Sequence, residues 1–425
     1  MTGNIPVEPA RGPIEASVRP PGSKSQTIRA LVVSTLARGR SRLNGALVSD
    51  DTRFASAALE GLGGAISVDG DVWTVEGTGG RLIAPEGVLD AGASGLTARA
   101  VIALGALVEG RTTVVGRDRL PERPMGGLVE ALRDLGVEVV SDGGHLPVTV
   151  VGVGRLPGGE VMVDSTQTSQ FVSALLLAAP LAASPLRVEP AGLRGSHRYL
   201  EVTIATMRAF GAYPIPDGPG YRVDPSGYEA VDITIEPDAS AAVYPMAAAA
   251  VIGGKVTIEG LGSASLQPDM RVADVLASMG CIVTQTDTET TVEGGSSPLR
   301  PIDADLSGSP DGALAIAVTC LFAQGPSRLR GLGSLRFKES DRLAATAHEL
   351  VRLGAAASVE GDDLIIEPAR LRAGRVDSHG DHRIAMSFAI AGLRIPGIEI
   401  ADPGVVAKTW PGYWEVLARM AGRTI

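Results

Sequence analysis

The sequence predicts an α/β protein of two domains, each assembled from three copies of one repeat. Three observations carry this. A chain of 425 residues is too long for one ordinary core. A pattern of helix, glycine, strand, polar turn and second strand recurs along it. Ahead of each copy of that pattern stands a very apolar, Ala-rich helix. The composition agrees, with 44% apolar and 20% charged residues, the balance of a soluble globular protein. Aromatics are only 4%, which leaves the core to Ala, Val, Leu and Ile.

In chain order, the first copy is ALEGLGGAISVDGDVWTVEG around Gly63, and the second is ALRDLGVEVVSDGGHLPVTVVG around Gly136. TMRAFGAYPIPDGPGYRVDP around Gly211, VLASMGCIVTQTDTETTVEG around Gly280 and LVRLGAAASVEGDDLIIEP around Gly354 follow. A truncated sixth, VLARMAG near Gly422, closes the series. The copies lie roughly seventy residues apart, a period that marks repeat architecture. Each glycine falls where a helix ends in a left-handed residue. Each alternating pair of runs behind it suits a hairpin.

The interleaved apolar helices are SKSQTIRALVVSTLA, ASGLTARAVIALGAL, TSQFVSALLLAAPLA, DASAAVYPMAAAAVI, PDGALAIAVTCLFAQ and DHRIAMSFAIAGL. Apolarity all round predicts burial on every side. Each is entered through a polar or basic loop, so chemically varied residues gather at its N-terminus. Helix starts present free N–H groups and the positive end of the dipole, and therefore bind anions. Six such starts facing one gap would form an anion trap. A plain scaffold is the competing reading of repetition alone.

Several function classes are excluded or disfavoured. A net charge of −10 argues against non-specific nucleic-acid binding. Cys281 and Cys320 sit in apolar stretches without CxxC or Cys/His spacing, so buried thiols are expected rather than a disulfide framework. Met1 to Pro21 lacks a signal-like apolar region, and no run of 18 apolar residues occurs, which points to the cytoplasm and away from a membrane. No Walker A loop and no His/Cys metal cluster is present, so neither metal nor nucleotide is expected. His145, His197 and His348 read as surface or turn residues. The chain has four lysines, of which Lys255 lies in a GGK turn. The others, Lys24, Lys338 and Lys408, stand beside polar loops in PGSKSQTIR, RFKESDR and AKTWPGY, where a compact point charge suits phosphate or carboxylate.

In order, PGSKSQTIRAL, PERP, DSTQTSQF, PDGA, KESDRL, DHRIAM and AKTWP resemble the motifs of 5-enolpyruvylshikimate-3-phosphate synthases, over nearly the whole chain. The resemblance implies a two-domain inside-out α/β barrel, each domain of three βαβαββ repeats with buried parallel helices, and a ligand cleft between the domains. It places residues 1–20 with 237–425 in one domain and 21–236 in the other. It implies a monomer with two small-molecule substrates, phosphoenolpyruvate and shikimate 3-phosphate, and no cofactor, nucleic acid or membrane partner. By position, Ser25, Arg29, Thr168, Ser169, Gln170, Ser196, Tyr199, Asp311, Ser334 and Lys338 would hold shikimate 3-phosphate. Lys24, Gly95, Arg123, Gln170, Arg342, Arg383 and Lys408 would hold phosphoenolpyruvate. Asp311 would take the proton of the attacking 5-hydroxyl. Glu339 and Lys338 would manage the proton of the enol methylene, with Lys24 and His382 also catalytic and Asp381 flanking the site.

The chemistry itself calls for such a set. Adding an alkoxyl to the enol carbon needs a base and an acid. The intermediate keeps phosphate and carboxylate, so cations must surround it. Plainer readings remain beside these: Asp311 after Pro310 fits an N-cap, Glu339 fits a solvated helix pair, and Thr168 and Ser169 fit caps. The loop Gly92 to Ala100 departs from the family pattern, with Ala93 where Asn is usual, Leu96 for Thr and Ala100 often Pro. Ser334 replaces Asn and Thr168 replaces Ser. The bulk at Leu96 predicts poor inhibition by glyphosate. These departures leave room for a paralogue that uses a related acceptor. A non-catalytic anion-binding repeat protein is the reading from another class.

Overall fold

The computed structural model describes residues 3–192 and 198–423. The chain forms two compact units, Gly22–Ile235, and Met1–Pro21 together with Glu236–Ile425. Pro21 and Glu236 both belong to the discontinuous unit, each one residue away from the expected joint.

In the unit Gly22–Ile235 the helices are α1 (Lys24–Leu36), α2 (Asp50–Gly61), α3 (Gly95–Gly105), α4 (Gly126–Asp134), α5 (Gln170–Ala178) and α6 (Arg198–Ala209). The odd-numbered ones are the apolar helices of the sequence, and beyond their first turns every residue is buried. They pack on one another and form the centre of the unit. Small Ala side chains let such helices approach closely, while each fully buried Leu of α5 contributes about 1.5–3 kcal/mol. The even-numbered helices bury one face only.

Outside the helices lie three four-stranded sheets that repeat one topology. In the second, Leu89–Asp90 runs parallel to Glu109–Val115, which pairs antiparallel with His145–Val153, itself antiparallel to Glu138–Asp142. Leu146, Val148 and Val150 alternate inward as a half-buried strand requires. In the first sheet the parallel partner of Arg40–Asn44 comes from the far end of the unit, Ile233–Thr234, with Ile233 opposite Leu43.

The discontinuous unit repeats the plan with α7 (Ala239–Ile252), α8 (Arg271–Ser278), α9 (Ala313–Cys320), α10 (Arg342–Arg352), α11 (His382–Gly392) and α12 (Tyr413–Met420). Here α7, α9 and α11 form the centre, and α7 keeps its helix through Pro245. Its first sheet is completed by the N-terminal strand Ile14–Val18, parallel to Gly254–Glu259. Its third sheet has no hairpin of its own, because the sixth copy is truncated. Asn4–Val7 pairs with Ile398–Ala401 instead.

The six repeat glycines, Gly63, Gly136, Gly211, Gly280, Gly354 and Gly422, all have left-handed backbone, with φ from 73° to 106°. Cys281 and Cys320 are buried free thiols, pushed up by burial to about 11 and about 12. Among the described residues no helix is long and apolar enough to cross a membrane.

Candidate functional site

In the unit Gly22–Ile235 the polar residues collect at the starts of α1, α3 and α5. Serines cap all three: Ser23 accepts from Gln26 N, Ser94 accepts from Thr97 N, and Ser169 occupies the cap of α5. A neutral cap leaves the positive end of each helix available to an anion. Thr168 Oγ1 accepts from Gln170 N at 3.2 Å, so it caps as well. Lys24 heads α1, and its Nζ lies 2.9 Å from Asp51 Oδ2 at the start of α2.

Arg29 is fully buried, and its hydrogen bonds go to neutral groups: Thr203 Oγ1 at 2.8 Å, Ser25 O at 3.0 Å and Tyr199 O at 3.5 Å. Burial brings the guanidinium down to about 10, which still leaves it charged at neutral pH. A buried cation whose hydrogen-bond partners among the described residues are all neutral favours an incoming anion. Arg99 donates to Gln170 Oε1 at 2.6 Å and Pro124 O at 2.8 Å while its guanidinium stacks on Phe171. Gly95 opens α3 beneath Arg99 and Arg123. A Cβ there would stand 2.6 Å from Arg99 Nη1 and 2.8 Å from Arg123 Nη2. Leu96 is buried directly behind it.

The discontinuous unit is built differently, because its helix starts carry carboxylates. Asp238 caps α7 and Asp381 caps α11. Gly312 is the cap of α9, so Asp311 is not, and its carboxylate faces cations instead. Arg342 Nη1 lies at 2.8 Å, Arg383 Nη2 at 3.2 Å and Lys338 Nζ at 3.7 Å. Burial alone would push the Asp311 carboxyl up, but Arg383, Lys338 and Arg342 outweigh it and hold it well below the usual carboxylate range.

Arg342 also grips Asp381 through two nitrogens, at 2.6 and 3.1 Å, and reaches Glu339 at 2.8 Å. Glu339 meets Lys408 at 3.5 Å and is only 13% exposed, so it is no solvated helix pair. Asp269 joins the starts of α7 and α9: it accepts from Ser240 Oγ, from Ser309 Oγ at 2.6 Å and from Gly312 N at 3.1 Å. Burial, and then the charge of Asp311, push its carboxyl up. Arg383 donates to Ser240 O and Tyr244 OH, both at 3.4 Å.

Thus the fold brings Asp311, Lys338, Glu339, Arg342, Arg383 and Lys408 into one ion-pair cluster. His382 is buried, with Nδ1 3.6 Å from Asp381 Oδ1. Ser334 lies half-buried in the turn Gly333–Phe337, outside that cluster. Ser196 and His197 fall outside the described residues. Lys24, Ser25, Arg29, Gly95, Arg123, Thr168, Ser169, Gln170 and Tyr199 are grouped at the helix starts of the other unit. Sequence reasoning did not single out Asp51, Arg99 or Asp269 as site residues. Arg99 stands four residues after Gly95 and carries a charge inside an apolar helix, a signal that could have found it.

A model of the EPSP synthase (3-phosphoshikimate 1-carboxyvinyltransferase) family matches residues 9–417. The chain belongs to this family. A 3-phosphoshikimate 1-carboxyvinyltransferase of Rhizobium leguminosarum bv. trifolii is 40% identical over 99% of this chain and 97% of its own. One from Methanoregula boonei is 40% identical over 97% of this chain and 98% of its own. Among solved structures, EPSP synthase from Acinetobacter baumannii superposes with a TM-score of 0.83 at 27% identity, covering 100% and 99% of the two chains. The enolpyruvyl transferase NikO from Streptomyces tendae gives 0.77 at 18% identity over 97% and 96%, a likeness of fold alone. As in other EPSP synthases, each unit is an inside-out α/β arrangement, with helices within and sheets without.

Proposed function

We propose that this chain transfers the enolpyruvyl group of phosphoenolpyruvate to the 5-hydroxyl of shikimate 3-phosphate, with release of phosphate, as a cytoplasmic monomer. One observation supports this most directly: the carboxylates Asp311 and Glu339 are each held against Lys and Arg in a nearly dry cluster, in a chain that belongs throughout its length to the EPSP synthase family. The reaction needs cations for two anionic substrates and an acid–base group for each proton.

The two units divide the task by charge. Serine caps and the neutral-partnered Arg29 suit unit 22–235 to hold shikimate 3-phosphate, through Ser25, Arg29, Thr168, Ser169, Gln170 and Tyr199. Lys24, Arg123 and the start of α3 at Gly95 suit phosphoenolpyruvate, as do Arg342, Arg383 and Lys408. Asp311 removes the 5-hydroxyl proton, and Glu339 with Lys338 serves the methylene. His382 orders the start of α11 beside Asp381.

The test is phosphate release from phosphoenolpyruvate with shikimate 3-phosphate offered beside other hydroxyl acceptors. Turnover selective for shikimate 3-phosphate is expected, and turnover only with another acceptor would refute the proposal. Leu96, buried next to Gly95 at the start of α3, is bulkier than the Thr usual in the family and would tighten the space for a ligand there. Glyphosate, bulkier than phosphoenolpyruvate, should therefore compete poorly. Low-micromolar inhibition would contradict that reading of Leu96.

A further inference from the structure

On the far end of α10 from Arg342, two histidines converge on one buried carboxylate. His348 Nδ1 lies 2.9 Å and His379 Nε2 3.0 Å from the same oxygen, Glu349 Oε1. The three donor atoms all fall within 4.8 Å of one another. The sequence showed no metal cluster because Glu349 and His379 are thirty positions apart and only the fold unites them. We propose that His348, Glu349 and His379 bind one divalent transition-metal ion of the Zn²⁺ class.

The donor set selects the ion. Two imidazole nitrogens and one carboxylate oxygen suit Zn²⁺, Co²⁺ or Ni²⁺, whereas Mg²⁺ and Ca²⁺ prefer oxygen shells. Tetrahedral ligands at about 2.1 Å from zinc stand about 3.4 Å apart. The two contacts with Glu349 Oε1 need open only by about half an ångström to reach that spacing, and the two ring nitrogens lie within 4.8 Å of each other. Glu349 is fully buried, and its other oxygen accepts from Asp377 N at 3.2 Å, which fixes the carboxylate from behind, as metal ligands require. His348 is 61% exposed, so water can reach the remaining coordination positions. The site lies in the last turn of α10, the negative end of the helix dipole, which favours a cation.

One group competes. Arg352 Nη1 is 3.5 Å from the same Oε1, but its side chain is 42% exposed and can turn to solvent. Asp377 Oδ1 is occupied by His379 N at 2.8 Å, in a turn that gives His379 a φ of 51°. A bound ion would tie the end of the helix that begins with Arg342 to the turn that leads into Asp381, His382 and Arg383. Its role would be to brace both sides of the ion-pair cluster and not to touch substrate.

The experiment titrates chelator-treated full-length protein with Co²⁺, read by visible absorption, and with Zn²⁺, read by calorimetry and by Tm. The wild type should take up one ion per chain, and Zn²⁺ should raise its Tm. His348→Ala, on an exposed helix face, and His379→Gly, which keeps the left-handed backbone, should each weaken uptake about tenfold or more. If His379→Gly does not fold, His348→Ala alone decides. No uptake by the wild type, or uptake untouched by His348→Ala, overturns the proposal.

Discussion

Asp311 shows how far the resting charges stand from a working state. A carboxylate held well below its usual range is a weak proton acceptor, since a general base works best near the ambient pH. An anionic substrate that draws Arg342, Arg383 and Lys338 toward itself would release Asp311 upward, so under the proposed role the same cations would restrain the base and sense the ligand. Asp311→Asn should then lower kcat by about 10²–10⁴-fold while phosphoenolpyruvate still binds. Steady-state turnover and equilibrium binding check the two halves. The sign of the pH effect also follows. A carboxyl lowered by folding stabilises the protein fully above its unfolded value near 3.9, and that stability is lost as pH falls through the lower folded value. Wild type should therefore lose stability more steeply below about pH 4 than Asp311→Asn, measured by denaturant unfolding. If the variant's acid limb is as steep as the wild type's, the strong pairing of Asp311 is wrong. Motif order located Asp311, Glu339 and Arg342 in the sequence. Asp51 and Asp269 escaped because their partners, Lys24 and Gly312, lie 27 and 43 positions away. No periodicity reports a contact of that kind.

At the scale of elements, the helices were legible because burial leaves a trace, continuous where a helix is buried on every side and periodic where it buries one face. Apolar runs became α1, α3, α5, α7, α9 and α11, and amphipathic runs ending in Gly became the even-numbered helices. The two-residue strand Ile233–Thr234 left no such trace, because two residues cannot display a period. Gly136 isolates the backbone requirement of the repeat. A Cβ there would meet nothing within 4 Å, yet φ is +81°. Gly136→Ala should cost about 1–2 kcal/mol from conformation alone. Gly136→Asn should cost less, because Asn tolerates the left-handed region, and thermal unfolding of both variants tests this order. Gly95 is the opposite case. An Ala methyl there would displace the guanidinium ends of Arg99 and Arg123, and Arg99 is buried and held by Gln170, Pro124 and Phe171. Gly95→Ala should lower Tm modestly and increase KM for phosphoenolpyruvate. An unchanged KM would remove Gly95 from that site.

The whole molecule is a single chain that builds two cores, and its topology says where each begins and ends. Every hydrophobic residue of the core made by α1, α3 and α5 lies between Ile28 and Ile235. The first sheet of that unit is closed by Ile233–Thr234, and Ile235 N donates to Asn44 O at 2.8 Å. Residues 22–235 thus contain their own core, their own sheet closure and the serine-capped helix starts. The discontinuous unit cannot be cut so simply, because Ile14–Val18 and Asn4–Val7 supply strands to two of its sheets. A fragment of residues 22–235 should therefore fold cooperatively on its own. It should bind shikimate 3-phosphate through Ser25, Arg29 and Thr168, and it should release no phosphate from phosphoenolpyruvate, since Asp311 and Glu339 are absent. A fragment ending at residue 230 lacks the closing strand and leaves the N–H and C=O groups on one side of Arg40–Asn44 unpaired, so it should be markedly less stable. Circular dichroism, denaturant melts and calorimetry with shikimate 3-phosphate separate the outcomes. A folded 22–235 fragment blind to shikimate 3-phosphate would move acceptor binding to the other unit, and an unfolded one would show that the core between Ile28 and Ile235 is not self-sufficient.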